Sequence, residues 1–171
     1  MVQLDETAPV AQVLRARDGG RKRKEPVTGI DYGPLAGWLG FHLRLAQIAS
    51  FQAFANEAQE IDLSPGRFAL LLLIGRNPGI SQTALSRAHG SDKSTLTPAL
   101  NDLKRRGLIT RGRLKRDRRS YQLALTPAGH QLLARLTACA SRHEQNLDRI
   151  IGARDRGRLL QLLRKLHTEL G

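Results

Sequence analysis

Residues 80–107 read ISQTALSRAHGSDKSTLTPALNDLKRRG, a run punctuated twice, by Gly90 and by Gly107. That punctuation constrains the fold more than any other feature of the chain. Ser81 is an N-cap candidate, Gly90 suits the left-handed residue that ends a short helix, and Ser91 caps a second run that closes at Gly107. A short helix, a turn and a second helix of about four turns make a helix-turn-helix.

The second helix has two unlike faces. Leu96, Leu100 and Leu103 share one side and must pack inward; Ser94, Pro98, Asn101 and Arg105 share the other, with Thr95, Thr97 and Lys104 at its rims. Small hydroxyls, an amide and a guanidinium are the side chains that read base edges in the major groove. Ser81, Gln82 and Lys93, at the openings of the two helices, complete the candidate contacts. Pro98 is awkward, because a mid-helix proline costs on the order of 3 kcal/mol. Regular helix beginning near Thr95 would place it in the first turn, where it is tolerated.

After Gly107 the chain reads as a hairpin. Leu108–Arg111 begins one strand, Ser120–Leu125 alternates with Tyr121, Leu123 and Leu125 on one face, and Gly112–Arg119 is the tip between them. The nine residues Arg111–Arg119 hold six cations and one acid. Arg113, Lys115, Arg116, Arg118 and Arg119 repel one another in isolation and make sense beside phosphates or in a narrow, negative minor groove. Asp117 is placed to hold Arg119 by a charge-assisted pair and so aim it.

Charge supports that reading. Lys and Arg number 28 against 15 Asp and Glu, a net charge of +13. Residues 63–126 hold 13 of those cations against 3 acids, whereas residues 34–62 hold Arg44 alone against Glu57, Glu60 and Asp62. Such an excess points to a polyanionic partner and is unusual for a metabolic enzyme. No Gly-rich phosphate loop is present, no catalytic set follows from spacing, and the five His are scattered without metal-ligand spacing. Neither catalytic residues nor a metal or cofactor are expected. One Cys excludes an internal disulfide and suits a reducing cytoplasm. The longest apolar run, Phe68–Ile74, is too short to span a bilayer, and the opening residues lack the apolar stretch of a secretory signal.

Four segments are expected. Residues 1–33 mix Gly, Pro and both charges and predict a flexible arm, in which Arg21–Lys24 are either solvated or an extra minor-groove contact. Residues 34–62 predict a dimerisation helix, with Trp38, His42, Leu45 and Ala49 on one side and Phe41, Arg44, Ile48 and Phe51 on the next. Apolar residues cover more than half its circumference, so it should be buried between two partners. Residues 63–126 form the helix-turn-helix and its wing, opened by Ser64 as cap and Pro65. In 127–171, Leu132, Leu133, Leu136, Cys139 and His143 fall at helical spacing, as do Leu159, Leu163, Leu166 and Leu170. One helix cannot cover so much leucine; a two-fold dimer supplies the missing surface. Cys139 sits in that apolar stripe and reads as a packed, inert thiol.

Arg44 has two readings. It is a snorkelling or interface residue, or it clamps the carboxylate or phosphate of an effector, with Trp38, Phe41, His42, Phe51 and Phe68 as the candidate surround.

Asp117-Arg118-Arg119 followed by Leu125-Thr126-Pro127-Ala128-Gly129, and preceded by NPGISQTALS and LKRRGLITR, resembles the wing signature of the MarR family of bacterial transcription regulators. The resemblance runs from about Leu35 to the C-terminus. It implies a mainly α fold with a small β wing, in which a winged helix-turn-helix lobe joins a helical dimerisation region. It also implies a cytoplasmic homodimer bound to palindromic double-stranded DNA of the nucleoid. That dimer would repress a nearby operon until a small aromatic acid fills a pocket between interface and lobe. LGFHLRLAQ further resembles a subgroup linked to aromatic-acid catabolism, some of whose members sense acyl-CoA thioesters. Two other classes fit the residues: an effector-independent winged-helix or architectural DNA-binding protein, and a winged helix that docks RNA or protein. Two Tyr and one Trp give RNA no evident stacking platform.

Overall fold

Capping side chains set most helix starts in this computed structural model, which describes residues 29–58, 61–113 and 121–171. The arm up to residue 28 and the wing tip, with Lys115, Arg116, Asp117, Arg118 and Arg119, lie outside the described residues. The chain divides after Ile48 into two units.

In the first unit a 3-10 turn, Gly33–Gly37, precedes α1 (Leu39–Glu57), which continues into the second. His42 Nε2 donates to the Ala36 carbonyl at 2.7 Å, and the Phe41 ring lies 5.9 Å from that of Tyr32. Trp38, Leu39, Leu43, Leu45, Ile48 and Phe51 are exposed, and Phe54 alone on α1 is buried. Within one chain, therefore, the described residues do not provide the cover that so apolar a helix was expected to have.

The second unit begins its lobe at Ser64, whose hydroxyl accepts the Arg67 N–H and caps α2 (Pro65–Arg76). Ser81 caps α3 (Gln82–His89) through the Ala84 N–H at 3.1 Å, and Gly90 ends it at φ 70°. The cap of α4 (Lys93–Arg105) is Asp92 rather than the expected Ser91: its carboxylate accepts the Thr95 N–H at 2.7 Å. Ser91 is occupied elsewhere, its hydroxyl 2.6 Å from His89 Nδ1. Helix α4 therefore starts two residues before Thr95, and Pro98 falls in its second turn instead of its first. The bond it deletes would have ended on the Ser94 carbonyl; Ser94 is exposed, so water can replace the missing donor.

Strands β1 (Ile80–Ser81), β2 (Ile109–Arg113) and β3 (Tyr121–Leu125) form an antiparallel sheet in the order β1-β3-β2. The alternation predicts only β2 and β3; β1 is added because Ile80 and Ser81 pair with Leu123 and Gln122. Two residues carry no periodicity, so nothing in the pattern announces this strand. Opposite it, Ile109, Arg111 and Arg113 face Leu125, Leu123 and Tyr121.

Helix α5 (Pro127–Ile151) begins where Thr126 caps it and leads through Gly152 to α6 (Ala153–Leu170). The Thr126 hydroxyl accepts the Gly129 N–H at 3.0 Å and donates to the Gly107 carbonyl at 2.6 Å, pinning the start of α5 to the end of α4. Leu71, Ile74, Leu85, Leu103, Leu123 and Leu136 form the centre of the core, fully buried. Gly75 lets α2 approach α5 closely, since a Cβ there would meet Leu133 Cδ2 at 2.9 Å. On α6, Leu159, Leu162, Leu163 and Leu170 are exposed. Among the described residues no helix is long and apolar enough to cross a membrane.

Candidate nucleic-acid interface

Burial of Leu96, Leu100 and Leu103 orients α4, and it leaves Lys93, Ser94, Thr95, Pro98, Asn101, Lys104 and Arg105 exposed, with Thr97 half-buried. One outward face thus carries hydroxyls, an amide and cations. The hydroxyl of Ser94 donates to Asp92 at 2.7 Å, leaving its lone pairs as acceptors. Bonds from the Thr95 backbone, then from the Ser94 hydroxyl, hold the Asp92 carboxyl below its ordinary value.

Three elements meet at Gln82, the first residue of α3. Its Nε2 donates to Thr97 Oγ1 on α4 at 3.0 Å, while its Oε1 accepts from Arg111 Nη2 on β2 at 3.0 Å. Both ends of one amide are used, so its orientation is set, and the base of the wing is tied to the helix beside it. Among the candidate contacts, Gln82 and Thr97 therefore already spend polar groups on each other. Arg113 closes β2 at the border of the described residues.

A second cluster was missed by reasoning from the sequence. Asp102 faces inward from α4, 7% exposed, and gathers three arginines. Arg67 Nε of α2 lies 3.2 Å from its Oδ2, Arg106 Nε 3.0 Å from the same oxygen, and Arg105 donates to Oδ1. Arg106 reaches on to Asp62, donating to its carbonyl at 2.6 Å and its carboxylate at 3.2 Å. Burial pushes the Asp102 carboxyl up, but the bond and charge of Arg106, then Arg105 and Arg67, outweigh it and hold the group below its ordinary value. The hydrogen bond to Asp62 in turn holds the Arg106 guanidinium above its ordinary value. The spacing Asp102-x-x-Arg105-Arg106 places three of these groups on one side of a helix and is the signal that could have found them.

The effector candidates are split between the units. Trp38, Phe41, His42 and Arg44 belong to the first, where all but the half-buried Phe41 are exposed. Phe51 and Phe68 belong to the second, where Phe68 stacks on Phe54 at 5.4 Å and Phe51 is exposed. The second unit also carries a cleft of about 620 Å³ between α2 and α5, lined by Leu72, Arg76, His130, Leu133, Ala134 and Thr137. A smaller one, about 450 Å³, is lined by Asn56, Glu57, Ala58 and Ile61 and by Cys139 and Arg142 of α5. None of the six candidates lines either. Cys139 is buried, its Sγ 3.3 Å from Arg142 Nη2. His143, also buried, has its Nε2 3.0 Å from the Ser50 hydroxyl.

A helix-turn-helix whose second helix turns polar and cationic groups to solvent, followed by an antiparallel wing, defines a winged-helix protein of the kind that regulates transcription. The family model for the MarR family matches residues 61–120. Over 151 residues the chain is 37% identical to a Thauera aromatica protein assigned to transcriptional regulation of the hcr operon, covering 88% of this chain and 91% of that one. The transcriptional repressor CouR bound to a 23-mer DNA duplex superimposes with a TM-score of 0.74 at 35% identity, covering 81% of this chain and 98% of CouR. CouR bound to p-coumaroyl-CoA gives the same TM-score at 32% identity, over 81% and 97%. The chain belongs to the MarR family of transcriptional regulators.

Proposed function

We propose that the protein is a homodimeric repressor that holds a palindromic DNA duplex through α4 and the wing and releases it when a small aromatic acid or its CoA thioester binds. The observation that carries this reading is the outward face of α4, where Ser94, Thr95, Asn101, Lys104 and Arg105 stand exposed over a leucine-packed back. In this reading residues 63–126 bind DNA, and 34–62 and 127–171 make the dimer. The leucines exposed on α6, and separately Trp38 with Leu39, Leu45 and Ile48 of α1, are apolar areas a second copy would cover.

Support for the effector comes from CouR, whose structure with p-coumaroyl-CoA resembles this chain as closely as its DNA complex does. Arg44 is exposed, in a segment rich in aromatic residues, and a guanidinium there suits an anionic aromatic ligand. Such a ligand must bind the DNA-released arrangement better than the DNA-bound one, since only differential affinity moves an equilibrium.

Fluorescence anisotropy on the duplex upstream of the protein's own gene, against a scrambled duplex, with light scattering in parallel, tests the DNA-binding part. The reading expects a dimer with half-sites about one helical turn apart. A monomer that binds DNA fully at micromolar concentration would overturn it.

A further inference from the structure

We infer that Asp102 governs base discrimination without touching DNA, as the positioning residue that aims Arg105. The inference rests on the proposed reading of α4 as the helix that enters the groove. Arg105 projects outward with its side chain 79% exposed, yet its guanidinium donates to a carboxylate whose own side chain is only 8% exposed. An untethered arginine on that face would sample many rotamers and find phosphates as readily as base edges. Tethered through one nitrogen, it keeps the remaining N–H donors in a limited set of directions. Asp102 is itself held from three sides, by Arg67 of α2, by Arg105 and by Arg106, and Arg106 is fixed in turn by Asp62. The carboxylate is therefore a rigid support for the tether, anchored to the body of the lobe and not only to α4.

Four variants separate this role from a structural one. A duplex selected by the wild-type protein from a randomised pool serves as the specific probe, and bulk genomic DNA as the non-specific one. Asp102→Asn is expected to lower the ratio of specific to non-specific affinity about tenfold while non-specific binding strengthens and its salt slope steepens by about one. Arg105→Ala is expected to lose the same ratio with a shallower slope. The double variant is expected to match Arg105→Ala alone, because a residue acting through Arg105 has nothing to act on once that side chain is gone. Arg67→Gln, which removes the α2 anchor but leaves Arg105 and Arg106 on the carboxylate, is expected to melt earlier and to lower the ratio about threefold, less than Asp102→Asn does.

Losses that add in the double variant would overturn the inference, as would an Asp102→Asn protein with unchanged ratio. Should Asp102→Asn fail to fold, Asp102→Glu replaces it: a carboxylate one methylene longer is expected to keep the slope and lose the ratio, and full retention of both counts against the tether. If Arg105→Ala itself keeps the ratio, it is the reading of α4, rather than the role of Asp102, that fails.

Discussion

A Cβ on Gly129 would lie 2.0 Å from the carbonyl oxygen of Leu108, so the first turn of α5 tolerates no side chain where it crosses the end of α4. Thr126 completes the joint, its N–H donating to the same Leu108 carbonyl at 3.0 Å. The phrase Leu125-Thr126-Pro127-Ala128-Gly129 is therefore a mechanical junction, with a cap, a first-turn proline and a residue small enough for contact with backbone. Gly129→Ala is expected to destabilise the fold by about 2–3 kcal/mol through overpacking against a carbonyl that cannot swing away. Chemical denaturation measures it, and a change under about 0.5 kcal/mol would mean the junction yields more easily than its geometry suggests.

The amide of Gln82 ties the base of the wing to α4. Gln82→Ala removes the amide's bonds to Arg111 and Thr97 together and is expected to weaken operator binding about fivefold to tenfold, up to about 1.4 kcal/mol. Hydroxyl-radical protection should shrink in the flanking minor grooves while guanine N7 in the major groove stays protected from methylation. Simultaneous loss of both protections would place Gln82 among the direct readers instead.

Acid should loosen α4 before neutral pH does. Asp92 and Asp102 are both held below the ordinary carboxylate value in the folded chain, so each binds protons more weakly folded than unfolded. Their stabilisation is complete above the unfolded value and is lost as pH falls through the folded one. Stability is thus expected to decline between about pH 5 and pH 3, and less steeply in Asp92→Asn, whose amide still caps the helix but does not titrate. Urea melts across that range decide it; an identical slope in the variant would remove Asp92 from the account.

Arg44→Ala separates effector sensing from assembly. It is expected to keep operator affinity within about twofold and to lose at least tenfold of the ligand's effect, equal to about 1.4 kcal/mol. A normal response, or failure to dimerise, would make Arg44 a structural residue.

Much of the lobe is legible in the chain because its signals are local. Ser64 with Pro65, Ser81 and Gly90 act within one turn of where they stand, and the spacing of Leu96, Leu100 and Leu103 alone points the opposite face of α4 outward. Asp92 displaced Ser91 as cap since two competent cap residues are adjacent and the second was free. Strand β1 and the Gln82 relay were hidden for another reason: each depends on residues of β3, β2 or α4 that only the fold brings near. The Asp102 cluster was half visible, with Arg105 of α4 and Arg106 just past its end in register and Arg67 supplied from α2.

Release from DNA tests the central claim most directly. The purified protein, bound to its own upstream duplex, is titrated with p-coumaroyl-CoA, with free aromatic acids and with CoA alone while anisotropy reports the bound fraction. An aromatic thioester or acid is expected to raise the apparent Kd for the duplex at least tenfold, and CoA alone to leave it near its starting value. A duplex bound equally well throughout the series would contradict the account and leave a winged-helix protein that binds DNA without an effector.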